Sequence, residues 1–188
     1  MSGAVANLAI SLGAMQVARK IPFDDPEVLN YARIGYVATQ LTLLGIYYYV
    51  SMVIKKKNDQ TVLKYVEPPS AMAPQEEGKL VTTTVRDYDL AEVSKLLRAV
   101  YMGILMMAFL HGYMQFTQPL FIQSLMGLKG LYDAKPLAIH ILGKPAEGEL
   151  KRPFKAAPGI FGGATGGPQT DKAAITEAEK KVGGKKDD

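Results

Sequence analysis

The chain has no cysteine, no tryptophan and only two histidines, His111 and His140, and two long stretches of its 188 residues are nearly free of charge. Without cysteine there is no disulfide and no thiolate for a zinc or redox site, while the compartment stays open. The two histidines have no HExxH, GxSxG or phosphate-loop spacing around them. The sequence GKPAEG, from Gly143 to Gly148, lacks the upstream Gly and the Ser or Thr that a phosphate-cradling loop needs. These absences leave no basis for expecting an enzyme, a bound metal or a cofactor.

Where charge is missing, the chain is apolar. A mean hydropathy of +0.03 averages over apolar blocks and the polar gaps between them. The stretch YARIGYVATQLTLLGIYYYVSMVI, residues 31–54, carries one charge, Arg33, near its start. It exceeds the ~20 residues that cross a hydrocarbon core. A second run, from Leu96 to about Phe116, has Lys95 and Arg98 at the end where long side chains snorkel. Two full-length transmembrane helices are predicted, over 31–54 and within 90–117. Two shorter stretches follow the same logic less fully. AVANLAISLGAMQVA, within residues 1–20, is diluted by small and polar residues; Arg19 and Lys20 follow its apolar run, where a secretory signal would have them precede it. It is expected to be retained. PLFIQSLMGLKGLYD, residues 119–133, is apolar on one face and reads as a short amphipathic or half-spanning helix. The expected fold class is an α-helical membrane protein with two full-length and two short membrane helices.

A net charge of +4 and a pI near 9.1 could point to nucleic acid, but the basic residues cluster beside apolar runs and near the C-terminus. Lys55, Lys56 and Lys57 directly follow Ile54, which puts residues 55–89 in the cytosol by the positive-inside rule. In that segment TVLKYVEPP and KLVTTTVRD read as two short strands around the turn-prone SAMAPQEEG. PLAIHIL, in the segment 134–152, reads as a third, completing a small cytosolic β-containing region. Asp89, with Glu92 three residues on, reads as the cap of the second long helix in preference to a catalytic carboxylate pair. The Gly- and Pro-rich chain over 153–188 reads as a flexible, disordered basic tail in which TDKAAITEAEKKV can form a brief helix.

The polar residues of the apolar segments are the candidate site. His111 and Gln115 are four apart and share a helix face, with Gln118 close to it; Gln123 and Ser124 lie on the next helix, and Arg98 at the start of the long one. They form either one polar intramembrane groove or a set of interface and helix-to-helix contacts. Met102, Met106, Met107 and Met114 are either adaptable packing or a yielding surface for varied apolar segments. Lys55, Lys56, Lys57, Lys151 and Arg152 serve as topology signals, and as binding elements they would touch anionic lipid headgroups or ribosomal RNA.

The chain carries VTTTVRDYDL, KYVEP, an apolar helix running into HGYMQFTQPLF, and IHILGKPAEGELKRPFKAAP. In these motifs the chain resembles the fungal family of inorganic phosphate transport protein eighty-eight. The family is also described as component three of the SRP-independent (SND) targeting pathway. The resemblance implies a multi-pass protein of the endoplasmic reticulum membrane. It would bring tail-anchored and internal transmembrane segments of client proteins to the membrane with the Sec translocon and other SND components. The older name implies phosphate transport or maturation of phosphate transporters. The family brings no catalytic residues.

Overall fold

A computed structural model describes residues 3–68, 78–155 and 168–184. Helix α1 (Gly3–Lys20) ends in Arg19 and Lys20, cations at the negative end of the helix dipole. Asp25 then accepts from the backbone N–H of Glu27 at 2.9 Å, so it caps helix α2 (Pro26–Lys57), and Pro26 fits the first turn where its missing N–H costs nothing. Helix α2 stops where Asn58 adopts φ +46°, the left-handed conformation that Asn tolerates after a helix. Strands β1 (Val62–Glu67) and β2 (Lys79–Thr84) follow, then α3 (Val85–Met107), which continues as a π-helical segment over Ala108–Tyr113. Helices α4 (Gln118–Asp133) and α5 (Lys135–His140), a 3-10 turn (Gly148–Leu150) and α6 (Lys172–Gly184) complete the order.

Helices α2 and α3, the latter with its π extension, are long and apolar enough to cross a membrane. Helix α4 has 16 residues and rises about 24 Å, less than a ~30 Å core. The chain divides into a helical unit (Met1–Lys56, Leu90–Gly143) and a sheet unit (Lys57–Asp89, Lys144–Asp188).

In the helical unit Leu43, Tyr47, Val50 and Ile54 of α2 pack with Val93 of α3 and with Leu131 and Ala134 at the end of α4. Tyr36, nearer the start of α2, packs with Met107 at the end of α3 and Leu120 at the start of α4. Helix α3 is therefore antiparallel to α2, and α4 runs parallel to α2. Helix α1 buries Ala14 and Ala18 and meets α4 where Ser11 Oγ donates to Met126 Sδ at 3.6 Å. Small residues in that stripe let the backbones approach, the means of helix association in lipid. Large apolar side chains point away from the packing: Leu41 is 65% and Leu105 64% exposed, along with Met102, Met106 and Phe109. A continuous surface of this kind suits hydrocarbon and not water.

In the sheet unit β1 and β2 pair antiparallel, Val62 opposite Thr84 and Tyr65 opposite Val81. Gly78 is required there, because a β-carbon would lie 2.8 Å from Val66 Cγ1 and 3.0 Å from the Glu67 carbonyl oxygen. The turn expected at SAMAPQEEG lies almost wholly outside the described residues. The two expected strands are present, but the third is not. PLAIHIL is helical: Ala134 is extended, Pro136 sits in the first turn of α5, and proline there favours a helix start over a ladder position. What joins the sheet edge instead is Gln169, whose N–H and C=O exchange bonds of 3.0 and 2.9 Å with Val66.

The expected cap is also displaced. Helix α3 begins at Val85, four residues before Asp89, and it is Thr84 Oγ1 that accepts from the N–H of Asp87 at 3.2 Å. Asp89 is interior to the helix and buried, and both of its carboxylate oxygens accept from Arg152, Nε to Oδ1 and Nη2 to Oδ2, each at 2.6 Å. Glu92 pairs with Lys95. Tyr88 Oη accepts from the N–H of Phe154 at 2.6 Å, and its ring meets Tyr65 and Phe154 edge-on. The start of the expected flexible tail is thus held fast, Pro153 and Phe154 being buried. Residues 156–167 and 185–188 lie outside the described residues, and the brief helix expected in TDKAAITEAEKKV is α6.

Candidate functional site

The polar side chains singled out in the helical unit fall into three places. The first is the end of α3. An α-helix through residue 116 would stack His111 and Gln115 on one face, but Ala108–Tyr113 is π-helical, and Gln115 lies beyond the helix at φ +59°. The common polar stripe is therefore broken. The wider turn leaves carbonyls to satisfy, and side chains do so: Gln115 Nε2 donates to the Gly112 carbonyl at 2.9 Å, and His111 Nδ1 lies 2.9 Å from the Phe116 carbonyl.

His111 has a second partner that the sequence did not suggest. Arg33 Nε of α2 donates to His111 Nε2 at 2.9 Å. Arginine has only donors to offer, so Nε2 is the accepting nitrogen and the ring proton sits on Nδ1, facing the Phe116 carbonyl. Each of these bonds fixes the other. Beside this knot an open cavity of about 450 Å³ is lined by Gln115, Phe116, Thr117, Gln118 and Pro119. The structure thus gathers His111, Gln115 and Gln118 at the end of α3 and the start of α4, and adds Arg33.

The second place is the packed seam between α3 and α4. A β-carbon on Gly103 would lie 2.5 Å from Gln123 Nε2, so the amide occupies the space that glycine leaves. Gln123 Oε1 is buried and has no hydrogen-bond partner among the described residues. Ser124 donates to the Leu120 carbonyl of its own helix at 2.7 Å. Gln123 and Ser124 are parts of helix packing here, away from the Gln115–Pro119 cavity wall.

Arg98 marks the third place. It is exposed, one turn before Tyr101, whose hydroxyl meets that of Tyr48 on α2 at 2.6 Å. Met102, Leu105 and Met106 continue the exposed face past Tyr101. Reading α2 alone gives no reason to single out Tyr48 among YYY; only the antiparallel register of α2 and α3 brings it to Tyr101. The same register explains why Arg33 and His111, 78 positions apart, meet.

Of the basic candidates, Lys55, Lys56 and Lys57 are exposed at the end of α2, and Lys151 is exposed in the sheet unit. Arg152 differs from them, since its side chain is only 13% exposed and its guanidinium is bound to Asp89. Among the described residues no group of three or more His, Asp or Glu side chains is placed to hold a metal ion.

A family model described as phosphate transport (Pho88) matches residues 1–186. SRP-independent targeting protein 3 of Saccharomyces cerevisiae is 44% identical over 185 residues, 96% of this chain and 95% of that protein. The SRP-independent targeting protein 3 homolog of Schizosaccharomyces pombe is 41% identical over 173 residues, 92% of this chain and 89% of that protein. No solved structure matches. The resemblance read from VTTTVRDYDL, KYVEP and IHILGKPAEGELKRPFKAAP is borne out: the chain belongs to the phosphate transport (Pho88) family.

Proposed function

We propose that this protein is a targeting and insertion factor of the SRP-independent pathway, acting in the endoplasmic reticulum membrane on apolar segments of client proteins by binding and without catalysis. The observation that carries the reading is identity of 44% along almost the whole length of a protein named for SRP-independent targeting. Family membership and two helices fit to cross a membrane agree with it. The Sec translocon, the ribosome and other SND components are the partners this reading calls for. Lys55, Lys56, Lys57 and Lys151 are the exposed basic residues available to such partners or to lipid headgroups.

Physically, such a factor needs a route on which a client helix can keep polar flanks hydrated while its apolar part meets lipid. The exposed face of α3 offers that sequence of environments: Arg98, then the Tyr48 and Tyr101 hydroxyl pair, then Met102, Leu105 and Met106. The methionines are deformable enough to accept varied side chains. The polar groove is proposed on this face, with the cavity at Gln115 to Pro119 at the far end of α3. Photocrosslinkers at positions 98, 101 and 105 should capture a stalled tail-anchored client, and probes at buried Val93 should not. Capture at Val93 alone, or at none of these positions in an insertion-competent preparation, overturns the groove.

The family description favours one other reading, phosphate transport or maturation of a phosphate transporter. Purified protein in liposomes separates the readings. It should raise insertion of a weakly apolar tail anchor and carry no saturable phosphate flux, whereas flux lost in Arg98→Gln would reverse the ranking.

A further inference from the structure

Arg33 stands two turns into α2, at the edge of its apolar stretch, with its side chain oriented by His111. From Arg33 to Ile54 helix α2 rises about 32 Å, close to the ~30 Å of a hydrocarbon core. With Lys55 to Lys57 in one headgroup layer, Arg33 lies at the level of the other, and the antiparallel α3 brings His111 to the same level. Among the described residues no carboxylate forms an ion pair with it. Asp25 is engaged by the N–H of Glu27, and Glu27 by the hydroxyl of Tyr31 at 3.1 Å. Among the described residues the bond from Nε to His111 is the one hydrogen bond of Arg33, so both terminal amino groups of the exposed guanidinium remain available. An arginine that merely snorkels into water keeps its whole fork hydrated; this one commits Nε to an imidazole whose other nitrogen is held by the Phe116 carbonyl. Such a bond holds the planar fork in place for a second ligand.

We propose that Arg33, oriented by His111, and the neighbouring Gln115–Pro119 cavity form a binding site for the phosphodiester of a phospholipid in the leaflet opposite Lys55, Lys56 and Lys57. The two free amino groups match two phosphate oxygens, the bidentate pairing for which guanidinium is suited. The cavity wall adds the Thr117 hydroxyl and the Gln118 amide, neutral donors for headgroup oxygens, and the half-exposed Phe116 ring for the first acyl carbons. Among the described residues no acidic side chain lines it. Free orthophosphate shares the anionic chemistry, but the level in the helix and the aromatic wall select the lipid. The site requires only that α2 and α3 cross a bilayer, and it stands or falls separately from client binding.

The test uses the full chain in nanodiscs containing phosphatidylinositol and phosphatidylcholine, released into detergent and weighed by native mass spectrometry. The wild type should retain bound phospholipid, Arg33→Gln should retain roughly tenfold less, as loss of a charge-assisted hydrogen-bond pair implies, and Lys172→Gln should match the wild type. His111→Leu, which frees the fork without removing it, should fall between. Millimolar orthophosphate should not displace the lipid. Should Arg33→Gln fail to fold, Gln118→Leu on the cavity wall gives a second reading and should also lose lipid. Undiminished retention in folded Arg33→Gln, or in Gln118→Leu where Arg33→Gln does not fold, overturns the proposal. Orthophosphate binding that depends on Arg33 with no lipid retained overturns the lipid assignment and leaves a soluble-anion site.

Discussion

The side chains left unpacked in the helical unit include many large apolar ones, Leu41, Met102, Leu105, Met106 and Phe109 among them; in the sheet unit they are mostly polar, such as Lys64, Glu67, Lys79, Asp87 and Lys151, with Val62 the large apolar exception among the described residues. The interiors are reversed in the same sense. The helical unit is held by an apolar seam of Leu43, Tyr47, Val50, Val93 and Leu131, whereas the sheet unit has at its centre an ion pair, Asp89 with Arg152, flanked by Tyr65, Tyr88 and Phe154. In lipid an apolar contact gains little over contact with an acyl chain, so close packing must supply specificity. A two-stranded pair buries little apolar surface, and directed bonds fix which part of the distant C-terminal chain is held. Each unit therefore fails to a different kind of substitution.

The largest effect is expected at the ion pair. Asp89→Leu leaves the Arg152 guanidinium largely buried without its carboxylate, a loss of about 3–5 kcal/mol for a buried pair broken on one side. Amide hydrogen exchange should rise across β1, β2 and the chain around Phe154 while the α2 and α4 interiors keep their protection. The double variant Asp89→Leu, Arg152→Leu removes both charges and should recover most of that loss. Equal loss of protection in α2 and α4 would mean that the two units do not fail separately.

That ion pair also shows where sequence reasoning stops. Length and hydropathy were sufficient for α2 and α3, and the run of Val, Thr and Tyr was sufficient for β1 and β2, because those signals are local. Asp89 was misassigned because an acid ahead of an apolar run looks like a cap; its real partner lies 63 positions away. Thr84, equally suited to capping, begins the helix a turn earlier. Arg152 reads as one more topology or contact cation beside Lys151 for the same reason. PLAIHIL carries the β-branched residues of a strand, but the proline at its start decides for a helix. The π-helical turn at Ala108–Tyr113 has no local signature beyond Gly112, so the register of His111 and Gln115 could not be obtained from a 3.6-residue period.

A packing substitution should break the helical unit in the complementary way, with a smaller cost. Gly103→Leu puts side-chain volume where Gln123 Nε2 already sits, and the amide must leave its position between α3 and α4. Overpacking of this kind costs about 1–3 kcal/mol. Thermal unfolding in detergent should shift to lower temperature, with protection in β1 and β2 unchanged. Gly103→Ala with Gln123→Ala, which clears the far end of the flexible side chain, should restore most of the difference. A Gly103→Leu protein as stable as the wild type would show that the α3–α4 seam is looser than the structure has it.

The smallest effect sharpens the comparison through pH, in the turn that follows α2. Asp59 Oδ1 accepts from the Thr61 hydroxyl at 2.6 Å and from the Thr61 N–H at 3.0 Å, while the Asp59 and Thr61 carbonyls accept from Arg86 and Val85 at the start of α3. The hydroxyl bond first, then the backbone bond, with a lesser contribution from the Arg152 charge, hold the Asp59 carboxyl below its ordinary range. A carboxyl whose folded value is depressed adds stability that is fully present above its unfolded value, near 3.9, and is lost as pH falls through the folded value. The group is almost wholly solvated, so solvent screening keeps the contribution small. Carbon-detected titration of Asp59 should therefore show a midpoint below that of an unstructured aspartate, and Thr61→Val, which removes the hydroxyl but keeps the N–H, should move it part of the way back. The acid sensitivity should appear in exchange at β1 and the first turn of α3 and be absent from the α2 and α4 interiors, where none of these groups lies. An unchanged midpoint in Thr61→Val would show that the backbone bond alone sets the shift, and the hydroxyl would then contribute to the geometry of the turn without contributing to its charge.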